Sequence, residues 1–306
     1  MRVLAVALVS TALASPAVAS QPTPEQQAYI DKIKRINASL HPQTGDVTVP
    51  AAHIAFHLGK DYYYLPPEDA RKVLVEAWNN PPDSANGTLG LIFPAAAHFW
   101  SAHGWGAVVT YEPIGFVGAG ESAQSDFDRA EKAMRDNEGA MNEARRKAGA
   151  EPIHFVGWAQ PPHYDPANHT MIWARDLHFG ASRLDTLNYD VRVLGRRGFV
   201  SLNMVSSMPE LAQVKAAADA LRRTADFQVG SRYQDFDSRT DKKAAIGLAG
   251  LVAAGAGVAL AQKFGLLAVV LLFLKKGAVL IAGGFAALST WFRRLFNRPR
   301  KPPVNS

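Results

Sequence analysis

Residues Leu187 to Val205 read LNYDVRVLGRRGFVSLNMV, and this segment predicts the architecture of the fold. Apolar and polar residues alternate in the first half, as in a β-strand that buries one face, and the second half is rich in strand-forming residues. The four residues from Gly195 to Gly198 lie between the two halves and predict a hairpin turn. Two strands joined by a hairpin are antiparallel, so this stretch predicts an antiparallel sheet.

Further strands and helices are predicted on both sides of this hairpin. The strands cover Val47–Val49, His53–Leu58, Tyr62–Leu65, Leu89–Phe93, Gly106–Glu112, Ile153–Ala159 and Thr170–Asp176. The helices cover Pro22–Leu40, Pro66–Trp78, Ser125–Ala148 and Pro209–Thr224. The last helix is amphipathic and is expected to cover one face of the sheet. The predicted fold class is therefore α+β, with a largely antiparallel sheet, covering helices and a C-terminal transmembrane helical anchor.

The two ends of the chain predict export and membrane attachment. Residues 1–19 combine Arg2, an apolar run and a small-residue cleavage site, which together indicate a signal peptide; an uncleaved N-terminal anchor is the alternative. Residues 241–292 are largely apolar and predict a membrane anchor of one or two helices. A single crossing is favoured, because it leaves Lys275 and Lys276 outside the membrane and keeps the basic tail, residues 293–306, in the cytoplasm.

The net charge of +6 belongs mainly to the chain ends. Acidic residues are in slight excess between residues 21 and 240, whereas basic residues dominate after residue 240. This distribution indicates membrane topology and argues against nucleic-acid binding. The predicted partners are the lipid bilayer and an envelope protein, with the domain of residues 20–240 in the periplasm of a bacterium. The chain has no cysteine, which excludes disulfides and thiolate metal sites.

One candidate metal or ligand site is formed by His163, Asp165 and His169. Two imidazoles and one carboxylate could supply three ligands to a divalent ion. These residues follow Pro161 and Pro162 and are predicted to lie on a loop, so a hydrogen-bonded turn is the alternative interpretation. No cofactor is predicted, and no catalytic residue is identified.

A second candidate site is a polar stripe of Asn188, Asp190 and Arg192. These three residues share one face of the predicted strand, opposite Val191 and Val193. The stripe could hold an anionic or sugar-like ligand. The favoured interpretation is structural, in which Arg192 pairs with Asp190 or with a carboxylate on a neighbouring strand.

Several motifs together resemble one protein family. They are Glu76–Pro82, Gly157–Asp165, His169 with Trp173 and Ala174, Leu187–Gly198, and Gly230–Asp237. The chain resembles, from about Val47 to the C-terminal anchor, a bacterial family of predicted membrane-anchored proteins that carry a domain of unknown function. The resemblance implies bacterial origin, export and attachment to the inner membrane. It implies no activity, cofactor or catalytic residue.

Three functions are consistent with these observations. The leading hypothesis is a membrane-anchored envelope protein whose periplasmic domain binds a partner or ligand without catalysis. The first alternative is a metal-dependent or other periplasmic hydrolase that uses His163, Asp165 and His169. The second alternative is a membrane assembly protein that acts through its C-terminal helices.

Overall fold

The structure is a computed structural model that describes residues 23–78, 80, 82–101, 104–118, 124–147, 149 and 151–255. Its helices are α1 (Pro24–Ala38), α2 (Pro67–Arg71), α3 (Gln124–Lys147), α4 (Leu211–Arg222) and α5 (Leu248–Gly255), and α2 continues as a π-helical turn over Lys72–Ala77. Helix α1 begins at a capping box, because the side chains of Thr23 and Gln26 each accept a hydrogen bond from the other residue's backbone N–H.

Within the described residues, ten strands form two antiparallel sheets. They are β1 (Asp46–Val49), β2 (Ile54–His57), β3 (Tyr62–Leu65), β4 (Thr88–Pro94), β5 (Gly106–Glu112), β6 (Ile153–Asp165), β7 (Thr170–Phe179), β8 (Thr186–Leu194), β9 (Phe199–Ser207) and β10 (Ala225–Phe227). The large sheet has seven strands in the order β3-β4-β5-β9-β8-β7-β6, and the small sheet has the order β1-β2-β10. The predicted α+β class with a largely antiparallel sheet is therefore confirmed.

One face of the large sheet is covered by the small sheet and by α4. Ile54 and Phe56 on β2 and Val214 and Leu221 on α4 are fully buried there. They belong to the same core as alternate residues of the large sheet, which are Ile92, Ala107, Val109, Tyr189, Val191 and Leu202. Burial of each large aliphatic or aromatic side chain stabilises the fold by about 1.5–3 kcal/mol, so this layer is the main core.

The opposite face of the large sheet is covered by helices at its two ends. At one end, α1 and α2 with its π-helical continuation pack against the sheet through Ile33, Val73 and Phe93. At the other end, α3 and α5 pack against the sheet through Phe127 and Leu251. The polar stripe lies on this opposite face of the large sheet, beneath α3 and α5.

The hairpin at Gly195–Gly198 is confirmed, but the predicted loop after residue 159 is wrong. Strands β8 and β9 pair antiparallel, and the N–H of Gly195 donates to the carbonyl of Gly198 at 2.8 Å. Strand β6 continues through Pro161 and Pro162 to Asp165, with irregular register between Gln160 and His163. Two prolines are tolerated because β6 is an edge strand and its register with β7 breaks between Gln160 and His163, so neither proline has to supply a ladder N–H.

The packing of the domain continues past residue 240, the predicted end of the domain. Arg196 Nε and Asp241 Oδ2 form an ion pair at 2.7 Å. The N–H of Ala244 donates to the carbonyl of Phe116 at 2.8 Å. Three apolar side chains of α5 are buried in the protein, namely Leu248, Leu251 and Val252. The first turns of the predicted anchor are therefore part of the folded core.

The predicted signal peptide at residues 1–19, the greater part of the predicted anchor at residues 241–292 and the basic tail at residues 293–306 lie outside the described residues. Within the part of the chain that the structure describes, none of the helices has the length and apolar character needed to cross a bilayer.

Candidate functional site

The carboxylate at the centre of the polar stripe is buried and fully engaged. Asp190 is only 2% exposed. Its Oδ1 accepts a hydrogen bond from Ser201 Oγ at 3.3 Å, and its Oδ2 lies 3.4 Å from Arg175 Nη2 on the neighbouring strand β7. Arg192 Nε lies 4.0 Å from Asp190 Oδ1. The carboxylate thus balances two guanidinium groups inside the protein.

Arg192 holds helix α5 against the sheet. Its guanidinium lies over the ring of Trp173 at 4.6 Å and over the ring of Phe199 at 4.7 Å. Its Nη1 donates to the carbonyl of Leu251 on α5 at 2.9 Å. Burial lowers the pKa of Arg192, although the nearby Asp190 opposes this shift. These contacts are those of a structural ion pair that also anchors a helix.

The outer end of the stripe opens into a small pocket beneath α3. Asn188 Oδ1 accepts hydrogen bonds from Arg175, and its Nδ2 donates to Asn203 Oδ1 at 2.8 Å. The pocket has a volume of about 250 Å³ and is walled by apolar residues including Met134, Phe155 and Leu177. The polar groups at the base of the pocket, on Asn188 and Arg175, are hydrogen-bonded to other protein groups. This end of the stripe therefore offers few hydrogen-bonding groups to a ligand.

The structure does not gather His163, Asp165 and His169 into a metal site. Within the described ranges, no group of three or more histidine and carboxylate side chains could hold a metal ion. Asp165 instead closes the β6–β7 turn, where it accepts hydrogen bonds from the Ala167 N–H at 3.0 Å and from the side chain of Asn168. These bonds, the one from the Asn168 side chain first, lower the pKa of Asp165.

His169 lies at the end of the β6–β7 turn and faces a cleft. It adopts a left-handed backbone conformation with φ of 48°, and its ring stacks on Tyr233 at 4.0 Å. Its Nδ1 lies 3.4 Å from the hydroxyl of Tyr164. Burial, followed by the neighbouring Tyr233 and Asp165, raises the pKa of Tyr164 to about 12, so this phenol stays neutral.

The cleft lies between the β6–β7 turn, the small sheet and the segment that follows β10. Its volume is about 680 Å³, within the range of small-molecule sites. The lining residues that matter for chemistry are His57, Asn168, His169, Arg222, Asp226 and Arg232. Apolar walls are contributed by residues including Val193, Phe227 and Val229. The cleft thus combines a partly apolar surface with several polar groups.

Two arginines of the cleft have guanidinium N–H donors that the described residues do not occupy. Arg222 is the last residue of α4, and its side chain makes no hydrogen bond or ion pair with any residue that the structure describes. Arg232 is exposed, and its side chain makes one long hydrogen bond, from Nε to the carbonyl of Phe227 at 3.4 Å. A guanidinium carries five N–H donors, so most of those on Arg222 and Arg232 remain available.

His57 supplies a titratable group at the rim of the cleft. Its Nδ1 lies 2.9 Å from Asp46 Oδ1, and its Nε2 lies 3.7 Å from Asp226 Oδ2. The hydrogen bond with Asp46 is the main cause that raises the pKa of His57, with smaller contributions from the charges of Asp46 and Asp226. Protonation of His57 therefore occurs at a higher pH than for a free histidine and adds positive charge to the cleft.

His169 is a candidate site residue from the sequence alone, but the cleft around it is not predicted from the sequence. His57 reads as an exposed strand residue, and Arg222 lies on an amphipathic helix where a terminal basic residue is ordinary. Arg232 falls within the motif Gly230–Asp237, which could have indicated a functional residue. A structural turn explains that motif equally well. No sequence spacing links these residues, because three separate parts of the chain bring them together.

Comparison with known proteins supports a family but no activity. A solution structure of cyanobacterial PsbP (CyanoP) from Synechocystis sp. PCC 6803 is similar over 62% of this chain and 94% of that chain, with 9% identity and a TM-score of 0.34. No curated protein matches the chain in sequence. The model of a family described as "Protein of unknown function (DUF2167)" matches residues 41–286. Because this match spans most of the chain, the protein belongs to the DUF2167 family of proteins of unknown function.

Proposed function

We propose that the chain is a membrane-anchored protein of the bacterial envelope whose folded domain binds a small ligand in the cleft beside His169. The observation that carries the proposal is the cleft itself, about 680 Å³ in volume and lined by apolar walls and by polar groups with free donors. Sites of this size and mixed character are typical of small-molecule binding. The polar stripe, by contrast, is occupied by its own ion pairs.

The anchoring part of the proposal is supported by the sequence around α5. The chain continues from α5 into an apolar stretch interrupted by few charged residues and followed by a basic tail. Such a stretch favours insertion into lipid, and the basic tail favours the cytoplasmic side. The domain before it would then lie on the periplasmic side, close to the membrane surface.

The binding part of the proposal is tested with a variant that fills the cleft. Ala167 is an exposed residue of the β6–β7 turn that lines the cleft, and Ala181 is an exposed residue of the β7–β8 turn outside it. The full chain in neutral detergent is screened by thermal unfolding against a monosaccharide, an amino acid, a dicarboxylate and a phosphate ester. At least one class should raise the unfolding midpoint of the wild type and of Ala181→Trp, but not of Ala167→Trp.

Three results would each overturn part of the proposal. If no class shifts the unfolding midpoint, or if Ala167→Trp responds as the wild type does, the cleft is not a ligand site. If the full-length mature protein stays in the supernatant after high-speed centrifugation of lysed cells without detergent, the membrane anchor is wrong.

A further inference from the structure

We infer that the ligand of the cleft carries a phosphate group, which Arg222 and Arg232 bind; this inference rests on the proposed ligand-binding function. Both arginines line the same cleft from different elements, Arg222 from the end of α4 and Arg232 from the segment after β10. Guanidinium groups match the oxygens of phosphate in geometry and charge, and each can donate two parallel hydrogen bonds.

The acidic groups near the two arginines are already engaged elsewhere. Among the described residues that line the cleft, Asp226 is the acidic one, and its Oδ2 lies 3.7 Å from His57. Asp165 is close enough to Arg222 for the arginine to lower its pKa, but its oxygens are hydrogen-bonded within the β6–β7 turn. Asp235 accepts hydrogen bonds from the backbone N–H groups of Gly230 and Arg232. An incoming anion therefore meets guanidinium groups whose donors are not already taken by these carboxylates.

Other polar side chains around the arginines add capacity for a third oxygen. His169 presents its ring to the cleft, and its Nε2 makes no hydrogen bond with the described part of the chain. Gln228 and Gln234 also line the cleft. A carboxylate has two oxygens, whereas a phosphate ester presents three, so this set of donors fits a phosphate better.

The apolar part of the lining indicates that the phosphate belongs to an organic ester. Val193, Phe227 and Val229 line the same cleft as the arginines. Val229 is 80% exposed, so it offers an apolar surface that the fold itself does not cover. A ligand that pairs its phosphate with the arginines can lay its carbon skeleton on this surface and remove apolar area from water.

The phosphate could come from a soluble ester or from a lipid headgroup, and the experiment distinguishes these two sources. Binding of inorganic phosphate, glycerol 3-phosphate and short-chain dihexanoyl phosphatidic acid to the full chain in neutral detergent is measured by isothermal titration calorimetry. Sodium acetate at equal ionic strength is the control anion. Tighter binding of glycerol 3-phosphate supports a soluble ester, and tighter binding of the phosphatidic acid supports a lipid headgroup.

Substitution of the arginines tests their role. Arg222→Gln and Arg232→Gln should each weaken binding of the phosphate esters by about tenfold or more, because each removes a charge-assisted hydrogen-bonding group. Arg223→Gln is the matched control, since Arg223 is the exposed neighbour of Arg222 and does not line the cleft. It should bind as the wild type does. Equal unfolding midpoints of the three variants show that the substitutions do not act through folding.

The inference and the proposed function fail in different ways. If a neutral ligand binds the wild type but not Ala167→Trp, and Arg222→Gln and Arg232→Gln leave its affinity unchanged, the cleft is a ligand site but not a phosphate site. If the phosphate esters bind the wild type and both arginine variants equally, the inference is also wrong. If the phosphate probes do not bind the wild type but a ligand of another class does, the inference alone is overturned. If neither the phosphate probes nor any of the four ligand classes binds the wild type, the proposed function is overturned as well.

Discussion

The polar stripe beneath α5 and the cleft beside His169 both contain arginines, but they use them differently. Arg192 in the stripe is 7% exposed and is surrounded by Asp190, two aromatic rings and a helix carbonyl. Arg222 in the cleft makes no hydrogen bond or ion pair with the residues described. A buried charge must be paired within the protein, whereas a charge in an open cleft can keep its donors for a ligand. Arg192 is therefore a cation that stabilises the fold, whereas Arg222 and Arg232 are cations that can bind a ligand.

The largest expected effect concerns α5, the helix that packs over the polar stripe, and how far along the chain the folded domain extends. A fragment that ends at Thr240 loses three buried side chains of α5, namely Leu248, Leu251 and Val252. At about 1.5–3 kcal/mol for each large side chain, the loss is comparable to the whole stability of many domains. Urea unfolding of fragments 21–240 and 21–255 should therefore show a much lower midpoint, or no folded state, for the shorter one. Equal midpoints would contradict the role of α5 in the core.

The next effect concerns the carboxylate of Asp190, which Arg175 and Arg192 share. Asp190→Ala leaves Arg175 and Arg192 without their common counter-charge, and breaking a buried ion pair from one side costs about 3–5 kcal/mol. Asp226→Ala in the cleft is the control, because Asp226 is exposed and should change stability by no more than about 0.5 kcal/mol. Both are measured by urea unfolding of the full chain in detergent. Similar losses in the two variants would remove the distinction between stripe and cleft.

A smaller effect is expected from the protonation of His57. Because its pKa is raised above the usual value of 6.5, the positive charge is present below that raised pKa and is lost as the pH increases through it. Binding of a phosphate ester should weaken by about two- to threefold over this interval. The ratio of wild-type to His57→Gln affinity is the quantity to follow, since it cancels the titration of the phosphate itself. A ratio that is constant between pH 6 and 9 would contradict a contribution from His57.

The smallest effect is expected from Arg222→Gln on stability. Because Arg222 makes no hydrogen bond or ion pair within the described part of the chain, its substitution should change the free energy of unfolding by no more than about 0.5 kcal/mol. Urea unfolding of the full chain, with Arg192→Gln as the destabilised counterpart, checks this expectation. A loss of several kcal/mol in Arg222→Gln would place this arginine among the structural ones.

Local patterns predicted the sheet well, because they depend on neighbouring residues alone. The alternation from Leu187 to Leu194 and the glycines at 195 and 198 define β8, β9 and their turn, and they place Asn188, Asp190 and Arg192 on one face. The predicted strand ends at Ala159, whereas β6 extends to Asp165. The difference arises because a proline indicates the end of a strand unless the strand is known to lie at an edge of the sheet. Edge position is a property of the whole sheet and is not encoded locally.

The role of α5 and the cleft could not be predicted from local patterns. A lipid bilayer and a protein interior are both apolar, so the composition of Leu248–Val252 is equally suited to either. The cleft joins His57, His169 and the pair Arg222 and Arg232, which come from three parts of the chain that are far apart in the sequence. Only the packing of α4, the small sheet and the β6–β7 turn brings these residues to one place.

The most direct test of the comparison is the reactivity of the arginines toward phenylglyoxal. The full chain in detergent is modified with and without a saturating phosphate ester at constant ionic strength, and each arginine is quantified by mass spectrometry. The expected result is that Arg222 and Arg232 react rapidly and are protected by the ester, while Arg192 stays unmodified in the folded protein. Equal modification of Arg222 and Arg232 with and without the ester, or modification of Arg192 as fast as theirs, would contradict it.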